Sequence, residues 1–286
     1  AQRSDLMKKY ALAVIAAVTA LGMSLNAFAA ADNKTGIIVN GKYVTSFEAG
    51  SKTGPGSVNA ETEERHNELP GDAVTAVGNL EPDKLNVPDN AETLITLAGT
   101  ADSDTGTLCL LTKNKTSYGR SYWVKSLECR AKYGKAGLGK TVEGDNKTPI
   151  GVFMLNTPFG NKTAEEGFPV NYKQVDGTYY WNGDSGSGLY NKLVSTVTYT
   201  DFSKSASEHI VNYGAYYNYC IDTGYNYEGT PHRGSAIFIH CMVNNENTHG
   251  CIAVDEENMK TIMRAYTEGS SYIAVYDAAD VGKVYK

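Results

Sequence analysis

The sequence lacks a surplus of basic residues. It carries 26 lysine and arginine residues against 32 aspartate and glutamate residues, a formal net charge of -6. Phosphate neutralisation requires clustered positive charge, so this composition argues against a nucleic-acid partner. The sequence also lacks a second long apolar run after the first 25 residues, which argues against an integral membrane protein. With 41% hydrophobic residues in 286, the chain can still bury a sizeable core.

The first 29 residues have the pattern of an export signal. Met7-Lys8-Lys9 is a basic start, Tyr10 to Leu25 is largely apolar, and Ala27-Phe28-Ala29 is a small-x-small cleavage signal. We predict cleavage near Ala29 and an extracellular, cell-wall or periplasmic location. An uncleaved membrane anchor is the alternative.

The amino-acid composition of the rest of the chain changes at residue 92. Residues 30–91 hold a predicted hairpin around Asn40-Gly41 and then a stretch rich in Gly, Pro, Glu, Asn and Asp, which predicts a poorly ordered linker. From 92 to 286, short β-branched and aromatic runs predict a mainly β domain with few helices. The clearest helical pattern is Asp255 to Thr267, and a second helix is predicted near Ser205 to Tyr213.

Five cysteines are present, an odd number for an exported protein, so at least one thiol is expected to be free. Cys251 fits that role. A disulfide between Cys220 and Cys241 is the favoured pairing, and Cys109 with Cys129 is a weaker one. Five reduced thiols remain an equal alternative, because pairing cannot be deduced from sequence.

A histidine and a cysteine near the C-terminus carry the clearest chemical pattern. Ser235 to His240 predicts a buried strand ending in a histidine, and a polar loop leads from it to Thr248-His249-Gly250-Cys251. A neighbouring imidazole lowers the pKa of a thiol and shuttles its proton. Gly250 permits close approach of the backbone, so its amide and that of Cys251 are candidate oxyanion donors. The pattern predicts acyl transfer by an exposed thiol.

Two separated motifs resemble one family. Thr248-His249-Gly250-Cys251 is similar to the Ser/Thr-His-Gly-Cys signature of the YkuD-like L,D-transpeptidases, and Gly144 to Phe153 is similar to their Thr-Pro-x-Gly-x-Phe segment. The likeness covers roughly residues 92–278. It is strongest to a subgroup that shares Trp181 to Asp184, Tyr190-Asn191, Ser207-Glu208-His209 and Gly234 to Phe238.

This resemblance implies a YkuD-like catalytic domain, a β-sandwich or barrel-like fold. Cys251 would be the nucleophile and His240 its base, with Thr248, His249 and Gly250 shaping the oxyanion region. The implied substrate is a peptidoglycan stem tetrapeptide, which forms a thioester, loses D-alanine and is passed to an amine as a 3-to-3 cross-link. Carbapenem-type β-lactams are expected to trap the thiol. No metal, organic cofactor or nucleotide is implied.

The sequence departs from the family in two places. The interval from His240 to Cys251 is shorter than in many members, and Ala253 stands where an arginine often follows the nucleophile. Arg233 is a possible replacement cation, although a solvated loop charge is the preferred interpretation. The alternatives are an L,D-carboxypeptidase that uses water, a non-catalytic wall-binding protein of the same fold, and a sortase-like or papain-like enzyme.

Other residues have competing interpretations. His249 is a rival base for the thiol, and His240, Cys241, His249 and Cys251 are a conceivable zinc set, although their spacing matches no usual zinc motif. Gly134 to Thr141 fits the P-loop expression, but its flanks do not supply the strand and helix that a P-loop requires. The polar residues shared with the subgroup are interpreted as solvated loop positions: Asp184, Tyr190 and Glu208.

Overall fold

The computed structural model describes the backbone of Ile37–Val39 and Lys42–Val44 and all of residues 69–286. The first two segments are strands β1 and β2, which pair antiparallel and confirm the predicted hairpin. The export signal and residues 50–68 of the predicted linker lie outside the described residues.

The large unit is mainly β, as predicted, and most of its strands form one ten-stranded sheet. In chain order the strands are β3 Thr93–Gly99, β4 Thr105–Lys115, β5 Ser121–Lys132, β6 Gly151–Met154, β7 Pro158–Gly160, β8 Lys173–Gln174, β9 Tyr179–Trp181, β10 Leu193–Ser195, β11 Glu208–His209, β12 Cys220–Asp222, β13 Phe238–Cys241, β14 Ile252–Val254 and β15 Ser271–Asp277. The large sheet runs β6-β15-β3-β4-β5-β14-β13-β12-β7-β8, and β10-β9-β11 form a small second sheet.

The large sheet is covered on both faces, which explains why its strands are apolar on both sides. Along β3, Ile95 and Leu97 enter an inner core, whereas Leu94 enters an outer core on the opposite face. This alternation follows from the two-residue repeat of a strand.

Residues 70–91, predicted to belong to the linker, cover the outer face. The compact unit begins at Pro70 and not at residue 92. Val77, Leu80 and Leu85 are buried there and pack with Trp123 and Tyr276. Few large apolar residues occur in this segment, but Val77, Leu80 and Leu85 are spaced so that they join the outer core, and composition alone does not reveal that spacing.

The inner face is covered by helix α1, Glu256–Ala265, which confirms the predicted helix. Met259, Ile262 and Met263 are buried on its sheet side, at helical spacing. The second predicted helix is wrong. That region contains a 3-10 turn at Lys204–Ala206, strand β11 and a 3-10 segment at Ile210–Tyr217 interrupted by Gly214 at φ 52°. Within the described residues, no helix has the length and apolarity to span a membrane.

Candidate active site

Strands β13 and β14 bring Cys251 and His240 to one face of the sheet. The two strands are parallel, with Ile239 opposite Ile252 and His240 opposite Ala253. Cys251 immediately precedes β14 and lies beside Phe238, whose backbone N–H donates to Cys251 Sγ at 3.4 Å. Phe238 and His240 are two residues apart on β13, so their side chains share a face of the sheet. Because Cys251 lies beside Phe238, the thiol and the imidazole project into the same cavity.

The turn before Cys251 is fixed by two threonines. Thr248 Oγ1 donates to the Cys251 carbonyl at 2.6 Å and accepts the Gly250 N–H at 3.2 Å. Thr148 Oγ1, fully buried, donates to the Gly250 carbonyl at 2.7 Å and accepts the Gly134 N–H at 2.9 Å. The Gly250 amide, predicted as an oxyanion donor, is therefore occupied within the turn.

Gly250 itself is required by its backbone. Its φ is +144°, and a Cβ there would lie 2.9 Å from Ile237 Cδ1 and 3.0 Å from the Lys147 carbonyl oxygen. A side chain would therefore force the turn away from the rest of the site.

The Cys251 thiol is buried at the floor of the cavity, with 8% of the residue exposed, instead of exposed as predicted. Its Sγ donates to the Ala236 carbonyl at 3.1 Å. Burial, together with a smaller contribution from the Glu208 carboxylate, raises the pKa of the thiol to about 12. The expected lowering by an imidazole is absent, because desolvation disfavours the thiolate more than the described neighbours stabilise it.

The His240 imidazole is held in the neutral form. Burial lowers its pKa to about 4. Nδ1 lies 2.9 Å from the Cys241 carbonyl oxygen. The Tyr216 carbonyl is a second backbone acceptor for the ring, so the neutral imidazole donates its one proton to a carbonyl and keeps a lone pair on its other nitrogen. The imidazole and the thiol thus hydrogen-bond to backbone groups and not to each other in this arrangement.

Asn191 supports the site, although the sequence distinguishes it only as part of the Tyr190-Asn191 motif. Its Oδ1 accepts from Trp181 Nε1 at 2.8 Å and from the Ala236 N–H at 3.0 Å. Its Nδ2 donates to the carbonyls of Tyr225 and Asn226. Ala236, whose carbonyl receives the thiol proton, has φ +54°. A left-handed alanine is strained and persists only where its surroundings hold it, and Asn191 supplies that support.

The cavity has a volume of about 610 Å³ and contains carboxylates as well as the thiol and imidazole. Glu208, predicted as a solvated loop residue, is partly buried in its wall, and Tyr217 Oη donates to Glu208 Oε2 at 2.8 Å. Burial raises the pKa of Glu208 to about 7. Tyr190 is likewise buried and donates to Glu143 Oε2 at 3.0 Å. The Ser207-Glu208-His209 motif was the signal for this wall, but its burial could not be deduced from spacing.

Asp184, Arg233 and His249 occupy other positions. Asp184 accepts the N–H groups of Gly186 and Ser203 in a loop. Arg233 is exposed and does not line the cavity. His249 is exposed at the cavity rim, with Nδ1 2.9 Å from Asn146 Oδ1.

The alternative uses of the cysteines do not match the geometry. All five are free thiols. Cys220 lies opposite His240, one register position from Cys241, so the predicted disulfide partners face opposite sides of the sheet. Cys109 and Cys129 likewise pack in the outer and inner core, respectively. In the described part of the chain, no three histidine, cysteine, aspartate or glutamate side chains are grouped to hold a metal ion.

The P-loop-like segment is a structural connection. Lys140 is buried, and its Nζ contacts Asp145 Oδ1 at 2.9 Å and the Val142 carbonyl at 3.1 Å. Bridges from Gly134 to Thr248 and from Leu138 to Thr148 tie the segment to the site. The lysine is thus used within the fold.

The family model of the L,D-transpeptidase catalytic domain, YkuD, matches residues 110–276. Comparison with curated proteins gives no match. Among solved structures, Bdellovibrio bacteriovorus Bd1075 is 14% identical over 73% of this chain and 54% of that chain, with a TM-score of 0.35. The helical cell shape determining protein Pgp2 from Campylobacter jejuni is 16% identical over 68% of this chain and 50% of that chain, with a TM-score of 0.37. The chain spans about half the length of either, and these low scores carry no functional argument. The family model covers more than half of the chain, which therefore belongs to the L,D-transpeptidase catalytic domain family.

Proposed function

We propose that the chain is an exported L,D-transpeptidase that acts on peptidoglycan stem peptides, with Cys251 as nucleophile and His240 as base. The observation that carries the proposal is the placement of both side chains on one face of the sheet, in one cavity. Membership of the family supports the reaction class.

The first half of the reaction forms a thioester. At neutral pH the thiol and the imidazole are both uncharged, since their pKa values are about 12 and about 4. Proton transfer to the unprotonated ring nitrogen of His240 therefore accompanies attack of Sγ on the carbonyl carbon of the third stem residue. The carbon–nitrogen bond to D-alanine breaks, and His240 returns the proton to the leaving amine. Before transfer, the thiol turns from the Ala236 carbonyl toward the imidazole.

The second half transfers the acyl group. The side-chain amine of a neighbouring stem attacks the thioester carbon, and the carbon–sulfur bond breaks. His240 takes a proton from the amine and returns it to Sγ. The product is a 3-to-3 cross-link, and the thiol is ready for another cycle. If water replaces the amine, the same thioester yields an L,D-carboxypeptidase product.

Intact mass after incubation with a stem tetrapeptide, or with a carbapenem, tests the nucleophile. The purified chain should gain the mass of the acyl group, and Cys251→Ala should gain none. Cys241→Ala is the matched control, because Cys241 is also buried with a pKa of about 12 but lies in the inner core. An adduct that persists in Cys251→Ala, or is lost only in Cys241→Ala, would rule out the assignment. A wild-type chain without any adduct would favour a non-catalytic wall-binding protein.

Export is tested separately. The basic start, the apolar run and Ala27-Phe28-Ala29 support a mature chain that begins at or near Ala30. N-terminal sequencing of material recovered outside the cells should find that residue first. Recovery of chains that still begin at Met7 would contradict cleavage.

A further inference from the structure

The cavity around Cys251 is lined by more negative than positive side chains. Three carboxylates face it, those of Glu143, Glu208 and Glu246, whereas Lys140 is already paired with Asp145. Each of the three accepts a hydrogen bond from a tyrosine hydroxyl, in the pairs Tyr190 with Glu143, Tyr217 with Glu208 and Tyr216 with Glu246. Hydroxyls do not neutralise a carboxylate. The cavity is therefore suited to a ligand that carries positive charge.

Glu208 is the carboxylate whose charge influences the Cys251 thiol. After burial, its charge is the largest influence on the Cys251 pKa, and it raises that pKa. Strand β11 holds its backbone against Trp181, and Tyr217 fixes Oε2 from the cavity side. The ring of Tyr213 stacks on that of Tyr217 at 4.4 Å between centroids. Tyr213 also hydrogen-bonds to Glu208. A carboxylate accepts about four hydrogen bonds, so with two tyrosine donors this one retains capacity for a ligand.

The surroundings of Glu208 also suit proton exchange. Burial raises its pKa to about 7, so the protonated and ionised forms are both accessible near neutral pH. The His240 imidazole, in contrast, remains neutral throughout that range. The cavity thus contains two proton acceptors that titrate in different pH ranges, the neutral His240 imidazole and the Glu208 carboxylate.

We propose that Glu208 receives the amine of the acyl acceptor: its carboxylate binds the ammonium group beside the thioester and takes the proton that makes the nitrogen nucleophilic. This inference rests on the proposed function of Cys251. It assigns to Glu208 direct contact with the acceptor and a preference for amines over water.

The protons and electrons balance. The ammonium gives one proton to Glu208, and the nitrogen lone pair forms the new bond to the thioester carbon. The carbon–sulfur bond breaks with its electron pair on Cys251 Sγ. The nitrogen loses a second proton through His240 to Sγ. One thioester, one ammonium and one carboxylate are consumed, and one amide, one carboxylic acid and one thiol result.

The partition of the acyl-enzyme between amine and water tests this assignment. The donor is a stem tetrapeptide analogue with D-lactate in place of D-alanine, so that its leaving group is an alcohol and makes no use of an ammonium site. The acceptor is the side-chain amine of a free stem peptide. Glu208→Gln should still form the thioester, but the ratio of amide to hydrolysis product should fall about tenfold or more, because a hydrogen bond to a charged group is lost.

Three comparisons isolate the cause. With hydroxylamine, which is largely unprotonated at neutral pH, Glu208→Gln should partition like wild type. Tyr217→Phe, which keeps the ring and removes the hydroxyl on Glu208, should reduce the ratio less than Glu208→Gln does. Glu257→Gln changes an exposed glutamate on α1, outside the cavity, and should change nothing.

The outcomes separate the two proposals. Failure of the wild-type chain to form a thioester would overturn the function of Cys251. A normal thioester with an unchanged ratio in Glu208→Gln would overturn the acceptor site alone. So would an equal fall with hydroxylamine, or a Tyr217→Phe variant as impaired as Glu208→Gln, since either indicates a purely structural role. A folded Glu208→Gln that cannot be acylated would also overturn it. If Glu208→Gln does not fold, Glu208→Asp replaces it and should show the same selective fall.

Discussion

Two walls of the cavity are built differently. The strand wall consists of β13, β14 and Cys251, is buried throughout, and is fixed by the parallel ladder. The turn wall consists of Glu208–Tyr217, which contains a two-residue strand and an interrupted 3-10 segment. Tyr213 is 38% exposed there, and ring contacts of Tyr217 with Phe238 and His240 hold this wall to the strand wall.

This difference in construction places the reacting groups on one wall and the proposed binding group for the acceptor on the other. The thiol and the imidazole lie on the wall whose backbone is most constrained, as precise proton transfer requires. The proposed acceptor carboxylate lies on the wall with more exposed residues, where local opening costs less free energy. We therefore expect changes in the strand wall to abolish acylation, and changes in the turn wall to alter the fate of the thioester.

The largest effect should come from the reacting pair in the strand wall. Cys251→Ala should abolish the acyl adduct, and His240→Ala should reduce the acylation rate by about 10²-fold or more, since a general base contributes that much. Adding His240→Ala to Cys251→Ala should cost almost nothing further, because the two act as a unit. Single-turnover mass spectrometry measures all three variants.

His249→Ala is the control for the second histidine. His249 is exposed at the rim and contacts Asn146, so its removal should leave most of the acylation rate. A fully active His240→Ala beside an inactive His249→Ala would transfer the role of base to His249 and break the assignment of reaction to the strand wall.

The next effect should come from the support behind the strand wall. Asn191→Gly preserves a residue that accepts φ +60° but removes four side-chain hydrogen bonds, to Trp181, Ala236, Tyr225 and Asn226. The free energy of unfolding should fall by about 3 kcal/mol or more, because buried donors and acceptors lose their partners. Acylation should slow as the Ala236 carbonyl shifts. Chemical denaturation together with the acylation rate would show both effects, and an unchanged acylation rate would dissociate Asn191 from the site.

A smaller effect on the site is expected from the outer core, whose buried residues do not line the cavity. Leu80→Ala removes a fully buried side chain and should lower the free energy of unfolding by about 2–5 kcal/mol while the acylation rate of the folded protein stays unchanged. Leu189→Ala is the matched control, since Leu189 is 39% exposed. Equal costs for the two substitutions would show that residues 70–91 do not stabilise the domain.

The sequence predicted the strand wall better than the turn wall, for a physical reason. The positions of β13 and α1 follow from short-range patterns, an apolar run before His240 and a helical repeat at Met259, Ile262 and Met263. The bounds of β13 differ from the prediction, since the strand begins at Phe238 instead of Ser235 and continues past His240 to Cys241. Ala236, at φ +54°, interrupts the extended backbone before it. Glu208 acquires its environment from Tyr217, Trp181 and the cavity, none of which a local pattern specifies. A polar residue in a glycine- and serine-rich region resembles a solvated one until its neighbours are known.

Three other features differ from the sequence prediction because they depend on contacts between distant parts of the chain. Cys220 and Cys241 do lie on neighbouring strands, as predicted, but a shift of one residue places them on opposite faces. Residues 70–91 have few apolar side chains, yet these pack in the outer core, where most of the buried apolar residues come from the sheet. The buried state of Cys251 also depends on distant residues, since Ala236 and Phe238 enclose its sulfur.

The smallest expected effect is a pair of opposite pH dependences of stability. Burial raises the pKa of Glu208 from 4.5 to about 7, so the folded state binds more protons there than the unfolded state between these values. This contribution to stability is present below pH 4.5 and is lost as pH rises through about 7. Burial lowers the pKa of His240 from 6.5 to about 4, so its contribution is present above pH 6.5 and is lost as pH falls through about 4.

Chemical denaturation of wild type, Glu208→Gln and His240→Gln across this pH range separates the contributions of the two groups, one from each wall, to the free energy of unfolding. The stability of Glu208→Gln relative to wild type should increase as pH rises from 4.5 to about 7. The stability of His240→Gln relative to wild type should increase as pH falls from 6.5 to about 4. Asp222, whose pKa burial raises to about 6, is common to all three and cancels in the differences. A group that titrates as in solvent has the same pKa in the folded and unfolded states, so its stability difference would stay flat with pH. A flat difference for either variant would mean that the two walls do not differ in the way that their burial indicates.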